Sequence, residues 1–228
     1  MGEYLSHKTE EDIRYANQLF EERKYEESLA AFETLAQNGF ARAWYDVGFQ
    51  YERGIGTSAC PEKAIAAYEQ GAKQGNSTCQ TRLGKLLLWG KLVQKDEAQA
   101  YFWICKAAEQ NDEIAKMWKG HCMTYGLGTP EDLKSGLTLL NAALDYNYPN
   151  EGTSQQMAEQ SQFDWDEDML QLFWDLGEAF ETGRGFPKRD NSAGYYYSMV
   201  AAGGWPKAIE KMTHYKESKI LKRWKRIN

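Results

Sequence analysis

Apolar residues recur along this chain at the spacing of a helix face, in blocks that repeat. A small residue, Ala43, stands five positions before Gly48, and a large one, Tyr51, stands three positions after it. The same triplet returns as Cys79, Gly84 and Leu87, as Ala115, Gly120 and Met123, and as Leu172, Gly177 and Phe180. Offsets of five and eight residues fall on one side of a helix, so each block predicts a helix with its apolar side at the glycine. Gly48, Gly84 and Gly120 are 36 residues apart, and Gly54, Gly90 and Gly126 keep the same interval. Both series return at Gly177 and Gly183 after a gap of 57. Two series in one register specify a repeat architecture.

Each block closes on a glycine loop: Arg53-Gly-Ile-Gly, Trp89-Gly, Tyr125-Gly-Leu-Gly and Thr182-Gly-Arg-Gly. Glycine permits the turn because it reaches φ values closed to other residues. A second helix is then expected to open near Pro61, Asp96, Asp132 and Asp190, residue types suited to a helix start. It carries small and large residues in register: Ala64, Ala67 and Tyr68; Ala100, Trp103 and Ile104; Gly136, Leu139 and Leu140; Ala193, Tyr196 and Tyr197. The expected organisation is a disordered terminus over 1–8, a helix pair over 9–40, repeats over 41–76, 77–112 and 113–148, an acidic insertion over 149–169, a fourth repeat over 170–205, and a capping helix with a basic tail over 206–228. Ile209, Met212 and Tyr215 are expected on the inner face of that cap.

These motifs resemble the Sel-one-like repeat family, a relative of the tetratricopeptide repeats. The residues that carry the resemblance are Leu83-Gly84, Gly90, Asp96, Ala100, Trp103 and Lys106-Ala107-Ala108, with Val47-Gly48, Tyr51, Gly54-Ile55-Gly56, Lys63-Ala64 and Tyr68. It spans roughly residues 41 to 205. The third unit departs from it at Lys119, where the family has a leucine. The resemblance implies an all-α fold, an α-solenoid of antiparallel helix pairs stacked into a curved superhelix. It also implies a function in binding other proteins without catalysis.

Composition fits that reading. Hydrophobic residues make up 42% and aromatics 14% of 228 residues, enough for a packed core, and there are only 5 prolines. No apolar run approaches the ~20 residues of a membrane helix, and the N-terminus lacks the basic and apolar stretches of a secretory signal. Cys60, Cys79, Cys105 and Cys122 form no C-x-x-C pair, so reduced thiols in the cytoplasm are expected, with no metal and no cofactor. The total charge is −6, but Lys216 to Asn228 hold six Lys and Arg against Glu217 alone, a net +5 that leaves −11 on the remainder. An acidic body disfavours nucleic acid and favours a basic partner.

Catalytic constellations are missing from the sequence. There is no phosphate loop and no nucleophile elbow, and the Gly-x-Gly pairs follow helices instead of strands. His121 beside Cys122 is read as a groove residue next to a half-buried thiol. Asp164, Asp166, Glu167 and Asp168 lack the spacing of a calcium loop and are read as a solvated acidic face.

By the tetratricopeptide resemblance, positions three before, one after and five after each repeat glycine line the concave side. The expected partner-binding set is Tyr45, Phe49, Arg53, Lys85, Trp89, Met117, His121, Tyr125, Trp174 and Glu178. Phe163 and Trp165 join it from the insertion. The expected function is that of a monomeric, cytoplasmic, non-enzymatic module that holds a protein partner in a concave, acidic, aromatic-lined groove. An immunity protein that neutralises a basic toxin or effector is one such module. A scaffold or signalling adaptor is the alternative, followed by an enzyme with a groove site at His121, Tyr125 and Glu178, and by a membrane-surface adaptor that uses the basic C-terminal helix.

Overall fold

The structure is a computed structural model that describes residues 2–147, 167–184, 188 and 190–213. Among them there are ten complete helices and no strand. The chain forms two compact units. Unit 1 comprises Met1–Cys122 with Gly126–Glu131, and unit 2 comprises Met123–Tyr125 with Asp132–Asn228.

Unit 1 contains helix α1 (Gly2–Glu21), α2 (Tyr25–Gln37), α3 (Ala43–Arg53), α4 (Pro61–Lys73), α5 (Ser77–Trp89), α6 (Glu97–Ala108) and most of α7 (Glu113–Tyr125). Helices α1 and α2, α3 and α4, and α5 and α6 pack most closely as pairs, and α2 and α4 then pack on the following pair. This is the stacked helix-pair fold expected from the repeat. Helix α1 starts at Gly2. No Pro or Gly interrupts residues 3 to 21.

Local chemistry sets the helix ends. Asn76, Asp96 and Asp112 are N-caps, each accepting a hydrogen bond from the backbone N–H three residues on, at 2.8, 2.9 and 2.9 Å. Pro61 occupies the first turn of α4, where its missing N–H costs nothing. At the other end Gly54, Gly90 and Gly126 cap α3, α5 and α7 at φ of 68°, 66° and 68°.

The repeat glycine provides a notch for the trailing helix of its own pair. A Cβ on Gly84 would lie 2.6 Å from Ile104, and one on Gly48 would lie 2.5 Å from the Tyr68 ring. Three positions tied to that glycine then form the junction to the next pair. After Gly48 they are Glu52, Tyr68 and Arg82, at offsets of 4, 20 and 34 residues. The Tyr68 hydroxyl donates to Glu52 at 2.8 Å, and the Arg82 guanidinium closes an ion pair on the same carboxylate. After Gly84 the same positions hold Leu88, Ile104 and Trp118, all buried. The junction is therefore ionic after α3 and apolar after α5.

Unit 2 contains α8 (Leu133–Asn147), α9 (Glu167–Thr182), α10 (Asp190–Ala202) and a helical segment over 206–213. Its core includes Leu137, Leu140, Leu172, Phe173, Leu176 and Val200. Burying such side chains contributes about 2 kcal/mol each. The ionic junction recurs here. Tyr197 lies against Gly177 and donates to Glu181 at 2.8 Å, and Lys211 reaches the same carboxylate at 2.8 Å. Lys211 follows Gly177 by 34 residues, as Arg82 follows Gly48, so 206–213 stands where the leading helix of another pair would stand. That register turns Ala208 inward and leaves Ile209 exposed, which corrects the inner-face expectation for Ile209; Met212 is half-buried. Tyr215, the basic tail, Phe163 and Trp165 lie outside the described residues.

Candidate partner-binding faces

The leading helices α3, α5, α7 and α9 carry ten of the twelve expected binding residues. On α3, Tyr45 and Phe49 stack with centroids 6.4 Å apart, and the exposed Arg53 guanidinium lies 5.8 Å from the Phe49 ring. On α5, Lys85 is half-buried with its ammonium 4.8 Å from the ring of Trp118 on α7. Such cation–ring contacts hold a charged side chain in place at partial desolvation. Trp89 is half-buried against His121, with centroids 5.9 Å apart. Tyr45, Phe49, Arg53, Lys85 and Trp89 thus remain accessible on unit 1.

Three expected residues do not. Met117 is fully buried, Trp174 is 4% exposed and His121 is 3% exposed. For Trp174 the glycine notch contributes. The residue three before the glycine packs on the aromatic ring that fills the notch, as Tyr45 does on Tyr68 at 6.0 Å and Trp174 does on Tyr197 at 5.0 Å. Trp174 is covered further by Trp205 at 5.8 Å and by the Lys207 ammonium at 4.2 Å. His121 is flanked by Trp89 and Trp118. Burial alone pushes its pKa down to about 4, so the ring is neutral at pH 7. It is a packing residue, as is Trp174.

Unit 2 holds the acidic site. A cleft of about 210 Å³ is lined by Thr124, Tyr125, Leu133, Leu137, Asp175, Glu178, Ala179, Thr182 and Arg184. Asp175 accepts hydrogen bonds from Gln171 at 2.7 Å and from the Tyr125 hydroxyl, while burial raises its pKa above the usual carboxylate range. Burial and the neighbouring Asp175 carboxylate together push the Tyr125 hydroxyl pKa upward. Arg184 lies 5.8 Å from the Tyr125 ring, and Glu178 is exposed at the rim. The expected Tyr125 and Glu178 therefore meet at one site.

Sequence reasoning missed Asp175 and Arg82, which share the position two before the repeat glycine with Asp46 and Trp118. The signal was the register itself. Across repeats that position holds a charge or a large ring, which marks it as a junction contact. All four cysteines are free of disulfides, and burial pushes the thiols of Cys79 and Cys122 up to about 12. Among the described residues no three His, Cys, Asp or Glu converge to hold a metal, and no helix is long and apolar enough to cross a membrane.

Four stretches, residues 41–76, 77–112, 120–145 and 174–202, match the Sel1 repeat model. The chain is 30% identical over 122 residues to a chitin synthase regulator, SKT5, from Malassezia restricta, which covers 51% of this chain and only 8% of that protein. Among solved structures it is similar to a Sel1 repeat protein from Oxalobacter formigenes, at 26% identity and a TM-score of 0.58, covering 87% of this chain and 73% of that one. It shares the fold of a protective antigen of uropathogenic Escherichia coli strains, at 20% identity and a TM-score of 0.58, covering 88% and 48% of the two chains.

Proposed function

This chain belongs to the Sel1 repeat family, and on that footing we propose that it is a non-enzymatic module that binds a basic protein partner through Tyr125 and the acidic face of α9. Sel1 repeat proteins are generally protein-interaction modules. The observation that carries the charge preference is the composition of α9. It holds Glu167, Asp168, Asp175, Glu178 and Glu181 and no Lys or Arg. The exposed Glu178 and the half-buried Asp175 present carboxylates at a cleft that also offers the Tyr125 ring. Such a face speeds encounter with a basic partner and selects against acidic ones. A cytoplasmic setting fits the four free thiols.

Neutralisation of a basic toxin or effector is one form of this binding, and an adaptor role is the other. The similarity to a protein named as a regulator of chitin synthase favours the adaptor form. Affinity capture with the full chain, washed at low and high salt, tests the reading. A basic protein retained at low salt, released at high salt, and lost with Glu178→Lys is the expected result. Retention of an acidic or neutral protein that Glu178→Lys leaves intact would contradict it. Co-expression separates the two forms: rescue of cells from a toxic partner identifies immunity, and a non-toxic partner identifies an adaptor.

A further inference from the structure

The third position after the repeat glycine holds Tyr51 in the first repeat and Leu87 in the second. Tyr51 spans the space between two trailing helices. Its hydroxyl donates to Glu33 of α2 at 2.7 Å, and the Lys63 ammonium of α4 donates to the same hydroxyl at 3.4 Å and lies 4.8 Å from the ring. One register later the counterparts of Glu33 and Lys63 are Glu69 of α4 and Gln99 of α6. Leu87 has neither the ring nor the hydroxyl to join them, and a cleft of about 480 Å³ opens there. Leu83, Leu87, Val93 and Trp103 form its apolar wall, with Glu69 and Gln99 beside them. We infer that this cleft between α4 and α6 binds a tyrosine side chain of a partner polypeptide, seated as Tyr51 is seated in the first repeat.

The occupant follows from what the register keeps and what it loses. The glutamate is kept. Glu69 is half-buried and meets Lys73 at 3.1 Å, and a carboxylate has further acceptor sites for a phenol O–H. The ring is lost. Trp103 stands where the first repeat has Ala67, yet it packs edge-on against Phe102 at 5.1 Å and does not close the cleft. Its indole instead gives an incoming ring an aromatic surface to pack on. The volume lies within the range of sites that enclose a ligand, roughly 300–1,000 Å³.

A second departure from the repeat lies next to the cleft. Eight residues after the repeat glycine the first and third loops have Gly56 and Gly128, whereas the second has Leu92. Leu92 adopts φ of 65°, a left-handed conformation uncommon for leucine, and is 42% exposed beside Val93. It offers an apolar contact to the residues that flank the bound tyrosine. The charges around the cleft are paired with one another, Lys73 with Glu69 and Lys95 with Glu97 at 2.7 Å. Selection there rests on shape and one hydrogen bond, not on net charge. The site lies wholly in unit 1 and does not depend on the reading of α9.

The test uses the full chain labelled for NMR, read at the Leu87 methyl groups and the Trp103 indole N–H. Three probes are titrated: a short peptide with tyrosine between two leucines, its phenylalanine counterpart, and para-cresol, the tyrosine side chain alone. The tyrosine peptide should shift both sets of signals saturably. It should bind about tenfold more tightly than the phenylalanine peptide, which has no hydroxyl for Glu69. It should also bind more tightly than para-cresol, because its leucines reach Leu92 and Val93. Leu87→Tyr rebuilds the arrangement of the first repeat and should abolish binding. Glu69→Ala, at a partly exposed ion pair, keeps the test decisive if Leu87→Tyr does not fold. It should remove most of the preference for tyrosine over phenylalanine, with circular dichroism to confirm the fold. A tyrosine peptide that gives no saturable shift overturns the assignment, as does a phenylalanine peptide that binds equally well. So does a folded Leu87→Tyr variant that binds like the parent. Para-cresol that binds as tightly as the tyrosine peptide would assign the cleft to a small phenol instead of a polypeptide. None of these results bears on Glu178, so the reading of unit 2 stands or falls separately.

Discussion

Helices α5 and α9 fill the same place in their repeats, yet one carries two cations and no acid and the other carries five acids and no cation. Both present a cleft or ring-lined surface beside the repeat glycine. The −6 charge of the whole chain describes neither of them. Net charge is a sum over faces, whereas recognition is a property of one face, and the repeat register is what separates the faces. The junctions divide in a similar way. Glu52 with Arg82 and Glu181 with Lys211 are ionic, while Leu88, Ile104 and Trp118 seal the junction between them by packing alone.

The largest expected effect breaks the symmetry of the two tryptophans. Trp174→Ala should cost about 3–5 kcal/mol, because it empties a buried slot between Tyr197 and Trp205. Trp89→Ala, on a half-buried residue, should cost about 1–2 kcal/mol. Thermal melts of both variants check this, and equal losses would refute the division into packing and surface positions. Gly84→Leu comes next, at about 3 kcal/mol. Its Cβ would lie 2.6 Å from Ile104 and 3.2 Å from the Ala100 carbonyl, and the rest of the side chain has no room. A Gly84→Leu variant that melts with the parent would show that the notch is misplaced.

A smaller effect concerns pH and belongs to unit 1. Burial lowers the His121 pKa from 6.5 to about 4. The unfolded chain therefore binds that proton first, and stability falls as pH drops through this window. Burial raises the Asp46 pKa from 3.8 to about 6. The folded chain keeps that proton longer, so this contribution to stability grows as pH drops from 6 towards 4. The two offset each other between pH 6 and 4. Asp46→Asn removes the second, and the loss of stability on acidification should steepen by about 2 kcal/mol across that interval. Urea midpoints at neutral and acid pH measure it, and parallel pH profiles for the two proteins would contradict it. Smallest is Glu178→Lys, which should leave the melting temperature within about 1 °C and weaken a basic partner by about tenfold.

The helices and their loops were legible because glycine, proline and capping residues act locally. Gly54, Gly90 and Gly126 end their helices through their own backbone freedom, and Asp96 and Asp112 cap through their own side chains. The binding faces were legible only in part. Tyr45, Phe49, Arg53, Lys85, Trp89, Tyr125 and Glu178 lie at accessible or half-buried positions, but Met117, His121 and Trp174 are buried. A helix pattern states which residues share a side. It does not state that a ring from the next pair, such as Trp205 over Trp174, will cover that side. The ionic junction was not legible for a related reason. Arg82 and its partner Glu52 are 30 residues apart, so the pair forms only once one helix pair stacks on the next.

The acidic face of α9 is the surface on which the proposed recognition of a basic partner rests. Hydrogen–deuterium exchange of the full chain with a peptide alternating lysine and leucine, and then with its glutamate counterpart, tests it most directly. The lysine peptide should protect α9 around Glu178, and the glutamate peptide should leave α9 unprotected. Protection of the same helices by both peptides, or protection confined to α4, α6 and α10, would contradict it.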